Sequence, residues 1–363
     1  MTTGSAAEPQ LELAPVRAGE ELDWESLQGY LRQHLPELGG EFSVLQFPRG
    51  SANLTYRVTV GDTPLVVRRP PFGKLAPGAH DMGREYKILS RLYTAYSRAP
   101  RALLHCADPA IIGAEFLVSE YREGIVVWDS IPESMSTVGD AGVRIGLAVI
   151  DALADLHEID PVAAGLEDLG HPEGYLERQL TGWQKRWAAV EAEVGDEDTV
   201  KLVRDVTIRL TARTPVSQRS GIVHNDYKVD NCQFAPSDPD RVTSVFDWDM
   251  ATVGDTLVDL GTLLNYWPDD TVEPGSDAAF TAVPGMHALG LPSRRAVIEQ
   301  YAHRSTLDLD DIHWYEAFGC WKTVVILQQL YARFVRGETI DARMGERGAA
   351  VAPLARRARD LLA

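Results

Sequence analysis

His224-Asn225-Asp226-Tyr227-Lys228-Val229-Asp230-Asn231, followed downstream by Phe246-Asp247-Trp248-Asp249, is the stretch on which the reading of this chain turns. Asp226 and Asn231 are five residues apart, a span that one loop covers with both side chains turned inward. Asp247 comes sixteen residues after Asn231, room for a short strand, a turn and a returning strand. One carboxylate to orient an attacking hydroxyl, with an Asn and a second Asp to hold magnesium, is the set that phosphoryl transfer from ATP requires. Taken singly, an Asp or Asn on a loop is usually a turn residue, because its side chain bonds its own backbone. Here four acid or amide groups stand in a fixed order beside the apolar runs Gly221-Ile222-Val223 and Val245-Phe246, and that context favours chemistry over turns. His224 reads the other way, as a brace for the loop.

Composition sets the outer limits. The chain has 363 residues, enough for two lobes, and 45% of them are hydrophobic, as in a globular protein. With 53 acidic against 35 basic residues the formal charge is −18, which argues against nucleic acid or an anionic membrane surface as partner. A cationic small molecule suits that charge better, although many acidic proteins bind none. Cys106, Cys232 and Cys320 lie far apart without metal-ligand spacing, so neither a disulfide framework nor a cysteine metal site is expected. No signal peptide or spanning apolar run is visible, and a cytoplasmic location is the expectation.

Residues 1–20 show little pattern and are expected to be disordered. Helical periodicity begins with Trp24, Leu27, Leu31 and Leu35 on one face. Short strands are expected over 42–47, 54–60 and 65–69, separated by Gly50-Ser51 and Gly61-Asp62. A helix over 80–96 follows, then strands over 102–106 and 115–121, and a hinge at Gly124. From 125 onward the pattern is mainly helical, interrupted by the strand-loop-strand that carries the motif.

In the helix from His80, Glu85 shares the apolar stripe of Met82, Leu89 and Leu92. An inward carboxylate is costly unless paired, and the candidate partners are Arg68 and Arg69. These project from opposite faces of a strand, so only one of them meets Glu85. The alternative is a surface pair with Arg84 or Lys87. The turn over residues 47–53, with Gly50, Ser51 and Asn53, reads equally as a phosphate-approaching loop or an ordinary hairpin.

In this order, the strand pair, the arginine, the helix glutamate, the hinge and the two acidic motifs resemble the aminoglycoside phosphotransferase / choline kinase superfamily. The resemblance extends over roughly residues 40–340. Val67-Arg68-Arg69-Pro70-Pro71, His80-Asp81-Met82-Gly83-Arg84-Glu85-Tyr86 and Trp314-Tyr315-Glu316-Ala317-Phe318 look like one branch of it. That branch includes stand-alone bacterial kinases and the kinase-like domains fused to some acyl-CoA dehydrogenases. The implied fold is α+β and bilobal, like a protein kinase, with a small antiparallel-sheet lobe (21–123) and a larger, mainly helical lobe (124–363).

The resemblance makes Asp226 the catalytic base and places Lys228 near the transferring phosphate. Asn231 and Asp247 become magnesium ligands, and Asp249 a further ligand or a bracket behind them. Arg68 stands where protein kinases have a lysine. Its guanidinium forks onto phosphate or onto Glu85, with Val66 on the same strand face beside the adenine. Ser51 and Asn53 belong to the phosphate-side turn. Glu120, Tyr121 and Arg122 offer backbone groups to the adenine edge. Asp259 is read as a loop brace. Nothing resembles a protein-kinase activation loop, so the acceptor is expected to be small, bound by segments 175–213 and 268–334.

Trp183, Trp187, Tyr266 and Trp267 either line that acceptor site or, as aromatics at helical spacing more often do, belong to the core. Arg178, Lys185 and Arg186 share a helix face and offer a basic patch. The acidic runs 191–198 and 269–277 read as solvated surface.

The expected reaction is transfer of the γ-phosphate of Mg-ATP to a small-molecule hydroxyl. The branch points to a hydroxyacyl-CoA as acceptor, with an aminoglycoside or amino-alcohol as the alternative. A nucleotide-binding pseudokinase is the rival from another class, though a scaffold needs none of Asp226, Asn231 and Asp247. Oligomeric state is not legible.

Overall fold

A computed structural model describes residues 13–48, 53–73, 81–268, 285–339 and 341–363. The chain divides into two compact units, Met1–Tyr93 with Ala99–Arg122, and Thr94–Arg98 with Glu123–Ala363. Together they make an α+β protein.

The first unit runs α1 (Trp24–His34), β1 (Phe42–Gln46), β2 (Leu54–Val60), β3 (Thr63–Arg69), α2 (Met82–Leu92), β4 (Ala102–Cys106) and β5 (Phe116–Glu120). Its strands form an antiparallel sheet in the order β1-β2-β3-β5-β4. Alternation sets the faces: Tyr56 and Val58 on β2, and Leu65 and Val67 on β3, turn to a core closed by Leu27 and Leu31 of α1. Each such side chain contributes roughly 1.5–3 kcal/mol when fully buried. Residues 13–20, without pattern in the sequence, are tied to this sheet. Ala14 bridges Gln46, the Arg17 N–H donates to Gln46 Oε1 at 2.9 Å, and the Tyr56 hydroxyl donates to the Glu20 carbonyl at 2.7 Å. Main-chain pairing of this kind leaves no hydrophobic signature.

In the second unit come β6 (Ile125–Val126), α3 (Ala141–His157), α4 (Tyr175–Ala188), α5 (Glu197–Ala212), β7 (Ser220–Val223), β8 (Cys232–Ala235), β9 (Asp238–Val245) and β10 (Thr252–Asp255). They are followed by α6 (Leu257–Tyr266), α7 (Arg294–Arg304), α8 (Ile312–Val335), α9 (Ala342–Glu346) and α10 (Val351–Leu361). β7 pairs with β10, and β8 lies between β6 and β9. β8, a turn and β9 fill the interval between Asn231 and Asp247, as the spacing requires.

Helix α8 is buried along much of its length and packs closely on α6. A Cβ on Gly261 would come 2.3 Å from the Tyr315 main chain, and one on Gly319 would come 2.8 Å from the Gly261 carbonyl. Any larger residue at either position pushes the two helices apart. Beside this crossing the Arg294 and Arg357 guanidiniums both pair with buried Glu316. They also donate to the carbonyls of Trp267 and Leu264, at 2.8 and 3.2 Å, and so hold the C-terminal end of α6.

Candidate active site

In the first unit the Glu85 partner is Arg68. Strand alternation buries Leu65, Val67 and Arg69 on one face and leaves Val66 and Arg68 on the other. Arg68 Nη1 donates to Glu85 Oε1 at 2.6 Å, with Glu85 only 3% exposed. Arg69 faces away. Its guanidinium donates to the carbonyls of Pro70 and Ile112, both at 2.9 Å, and lies 4.1 Å from the Phe72 ring centre. Asn53 is buried at the start of β2, whereas Ser51 lies outside the described residues. At the end of β5 the Glu120 carboxylate accepts from Arg122 Nε at 2.6 Å and from the Arg101 N–H at 2.9 Å. The Tyr121 ring packs under Arg57, 4.8 Å away.

The second unit carries the loop that leaves β7 at Val223. Asn225 takes a left-handed conformation with φ of 69°, which turns the chain so that Asp226 leaves the strand line. Non-glycine residues adopt this region seldom, Asn and Asp most readily. The turn is fixed by a carboxylate from α6: Asp259 accepts the His224 N–H at 2.5 Å and the Asn225 N–H at 2.7 Å. Behind it, His157 Nε2 lies 3.4 Å from Asp259 and Nδ1 lies 2.7 Å from the Tyr301 hydroxyl. The Asn225 side chain accepts from the Tyr175 hydroxyl at 3.2 Å and donates to the Met250 carbonyl at 3.0 Å. His224 is the brace that the sequence implied. Its Nδ1 accepts the Asp226 N–H at 3.3 Å and its Nε2 lies 2.8 Å from the Phe246 carbonyl, a pattern that sets the Nε2–H tautomer.

Around Asp226 three groups converge. The Tyr266 hydroxyl donates to Oδ1 at 3.2 Å. Lys228 Nζ lies 3.3 Å from Oδ2. Asn231 Nδ2 donates to the Asp226 carbonyl at 2.8 Å, with Oδ2 at 3.4 Å. Lys228 also lies 3.8 Å from Asp230. Burial favours the neutral amine of Lys228, but the charges of Asp226 and Asp230, with Asp247 behind them, hold its ammonium far above the usual lysine range. Burial likewise pushes the Asp230 carboxyl up against the pull of Lys228, and Asp230 Oδ1 is buried without a hydrogen-bond partner. Asp247 is also left-handed, with φ of 70°. Trp248 is fully buried, its indole donating to the Val245 carbonyl at 2.7 Å, while Asp247 and Asp249 on either side stay half-buried.

Asp226, Lys228 and Asn231 are therefore brought together, and Asp247 is felt electrostatically at Lys228 and Asp230. Asp249 stands further on, past Trp248. Of the four aromatics weighed for the acceptor site, Trp183, Trp187 and Trp267 are core residues, and only Tyr266 reaches the loop. Arg178 donates to the carbonyls of His171 and Glu173 and so leaves the basic patch. The run 191–198 is used structurally: Glu191 pairs with Arg204, Glu193 with Arg336, and Asp196 caps α5. The run 269–277 lies outside the described residues. The sequence reading missed Asp230 and Lys322. Lys322 is 4% exposed and donates to the Asn225 carbonyl. Its signal was a lysine inside an otherwise apolar stretch of α8.

Residues 43–296 match the family model described as phosphotransferase enzyme family. Acyl-CoA dehydrogenase family member 11 of Mus musculus is 31% identical over 326 residues, which are 87% of this chain and 40% of that protein. The chain thus spans about 40% of the length of that curated relative. A Ralstonia eutropha protein solved as a candidate aminoglycoside phosphotransferase superposes with a TM-score of 0.75 at 27% identity, covering 94% of this chain and 98% of that one. The GDP and kanamycin complex of APH(2″)-IIia superposes with a TM-score of 0.61 at 14% identity, covering 91% and 98%. The fold is that of kinase-like phosphotransferases.

Proposed function

The chain belongs to the phosphotransferase enzyme family, and from that premise we propose that it transfers the γ-phosphate of Mg-ATP to the hydroxyl of a small molecule. The observation that carries this reading is the convergence of Lys228, Asn231 and Tyr266 on the Asp226 carboxylate. In this reading Asp226 accepts a hydrogen bond from the acceptor hydroxyl and aligns it, taking the proton late because the transition state is loose. Lys228 supplies a fixed positive charge for the transferring phosphoryl group.

Nucleotide binding is assigned to the first unit. Arg68, held by Glu85, carries the planar, always-charged guanidinium that suits phosphate. Val66 packs on the adenine, the main chain of Glu120, Tyr121 and Arg122 meets its edge, and Ser51 and Asn53 belong to the phosphate-side turn. A solved relative of the same fold is named as a GDP complex, which agrees with a nucleotide role.

Bound magnesium would neutralise phosphate charge. The donor set fits it. Asp226, Asp230 and Asp247 outnumber the one lysine among them, and Asp230 Oδ1 is a buried oxygen without a partner. Asn231 and Asp247 would hold the ion, with Asp249 bracketing them. Among the described residues no three Asp, Glu, His or Cys side chains make a complete cage. A magnesium ion would not require one, since one or two carboxylates from the protein are its usual share.

For the acceptor we favour a hydroxyacyl-CoA or similar acyl metabolite. The name of the mouse relative refers to acyl-CoA. In this chain Lys185 and Arg186 remain exposed on one face of α4, and such a basic patch suits an anion better than a polycation. An aminoglycoside or amino-alcohol is the second reading, favoured by the net charge of −18 and by the kanamycin in the APH(2″)-IIia complex. The test is acceptor-dependent ADP release with Mg-ATP across hydroxyacyl-CoAs, aminoglycosides, choline-like amines and sugars. Stimulation by hydroxyacyl-CoAs alone is expected. Stimulation by the amines instead moves the acceptor to the second reading, and silence across the panel with Mg-ATP still bound favours a pseudokinase.

A further inference from the structure

We propose that Lys322, in the middle of α8, is a positioning residue that sets the direction of the Asp226 carboxylate through the Asn225 peptide. This rests on the assignment of Asp226 to phosphoryl transfer. Four of the hydrogen-bonding groups at Asn225 are gripped from four directions. Its N–H goes to Asp259 on α6, its side-chain oxygen to Tyr175 on α4, its side-chain amide to the Met250 carbonyl before β10, and its own carbonyl to the Lys322 ammonium. The first three fix where Asn225 sits. The fourth acts on the peptide that joins Asn225 to Asp226, and a rotation of that peptide swings the carboxylate.

The choice of residue supports the role. A buried ammonium is expensive to desolvate, and burial lowers the affinity of Lys322 for its proton, while the charges of Asp226 and Asp259 raise it again. The Trp183 ring covers the ammonium at 5.8 Å. A methionine would fill nearly the same volume without a charge to desolvate, a gain set against the lost attraction to Asp226 and Asp259. The carbonyl left behind would lose its donor, which offsets part of that gain. Lysine therefore adds little to stability here, and what it supplies is a fixed donor behind the left-handed turn at Asn225.

The test uses the full chain with Lys322→Met and Lys322→Arg. For Lys322→Met, kcat is expected to fall about 10- to 100-fold, the scale of a misplaced catalytic group. KM for Mg-ATP should stay within about twofold, and the thermal midpoint should stay near that of the wild type. Lys322→Arg should recover part of kcat, because a guanidinium still donates to the Asn225 carbonyl. Hydrogen exchange of a peptide spanning residues 221–232 should quicken in Lys322→Met while α6 and α5 keep their protection. An unchanged kcat, or a loss of kcat that tracks a fall in midpoint with exchange quickened everywhere, overturns the proposal. Should the wild type itself transfer no phosphate, the phosphotransfer assignment fails, and exchange at 221–232 alone decides whether Lys322 clamps the loop.

Discussion

In the first unit Arg68 and Glu85 meet as one cation and one anion, 2.6 Å apart, on a strand and a helix whose periodicities fix both. In the second unit Lys228 faces Asp226 at 3.3 Å and Asp230 at 3.8 Å from a loop without a period. The pair on regular elements is charge-balanced, whereas the loop has more acid than base. A balanced buried pair serves to hold geometry, and removing either partner strands the other charge. A site left with surplus negative charge is incomplete without a cation. The two regions therefore differ in kind: the first is a pair that holds a strand to a helix, and the second is a loop whose acidic side chains exceed the lysine among them.

That contrast breaks most sharply at Asp226. Asp226→Ala should lower kcat by about 10³- to 10⁴-fold, the upper range for loss of a positioned acid–base group, and calorimetry should find Mg-ATP binding nearly intact. If affinity falls along with kcat, Asp226 serves the nucleotide and the contrast dissolves.

Next in size is Glu85→Ala, which takes the buried carboxylate away from the Arg68 guanidinium and should cost about 3–5 kcal/mol of stability in urea unfolding. The Arg68→Ala/Glu85→Ala double variant should recover part of that loss, the mark of a closed pair. Simple additivity would mean the two side chains act independently.

Asp247→Ala should weaken Mg-ATP binding about 10- to 100-fold, the scale of losing one interaction with a charged group, with little change in the urea midpoint. A stability loss like that of Glu85→Ala would show that Asp247 holds structure instead.

The smallest effect is expected at Tyr266→Phe. One hydrogen bond to Asp226 Oδ1 is lost, and kcat should drop about threefold to tenfold at constant Mg-ATP affinity. A change in affinity alone would place the hydroxyl on the nucleotide's side of the reaction.

How much the sequence disclosed follows from the same contrast. Glu85 was legible because helical spacing placed it on an apolar stripe, and Arg68 because strand alternation left two candidates. Choosing between them needed the face on which Leu65 and Val67 are buried. Asp226, Asn231 and Asp247 stood out by spacing, since their loop has no period to read, and Lys228 through the family resemblance. Lys322 was not legible, and Tyr266 was named only as one of four aromatics weighed for the acceptor site. Tyr266 sits at the end of α6 among residues that pack as core, and its bond to Asp226 joins positions 40 apart in the chain. Lys322 acts on a carbonyl 97 positions away in the chain, a distance that no local pattern encodes. The bonds that tie residues 13–20 to the sheet were hidden for a related reason, being polar contacts between positions about 30 apart that leave no period.

The most direct test of the central claim follows the phosphate itself. ATP labelled at the γ-position would be incubated with the protein, magnesium and the acceptor that stimulates ADP release, and the label traced. The account predicts that it appears on the small molecule as an O-phosphate, and that Asp226→Ala leaves the acceptor unlabelled. Label found only as inorganic phosphate or on the protein, or carried to the acceptor equally well by Asp226→Ala, would contradict it.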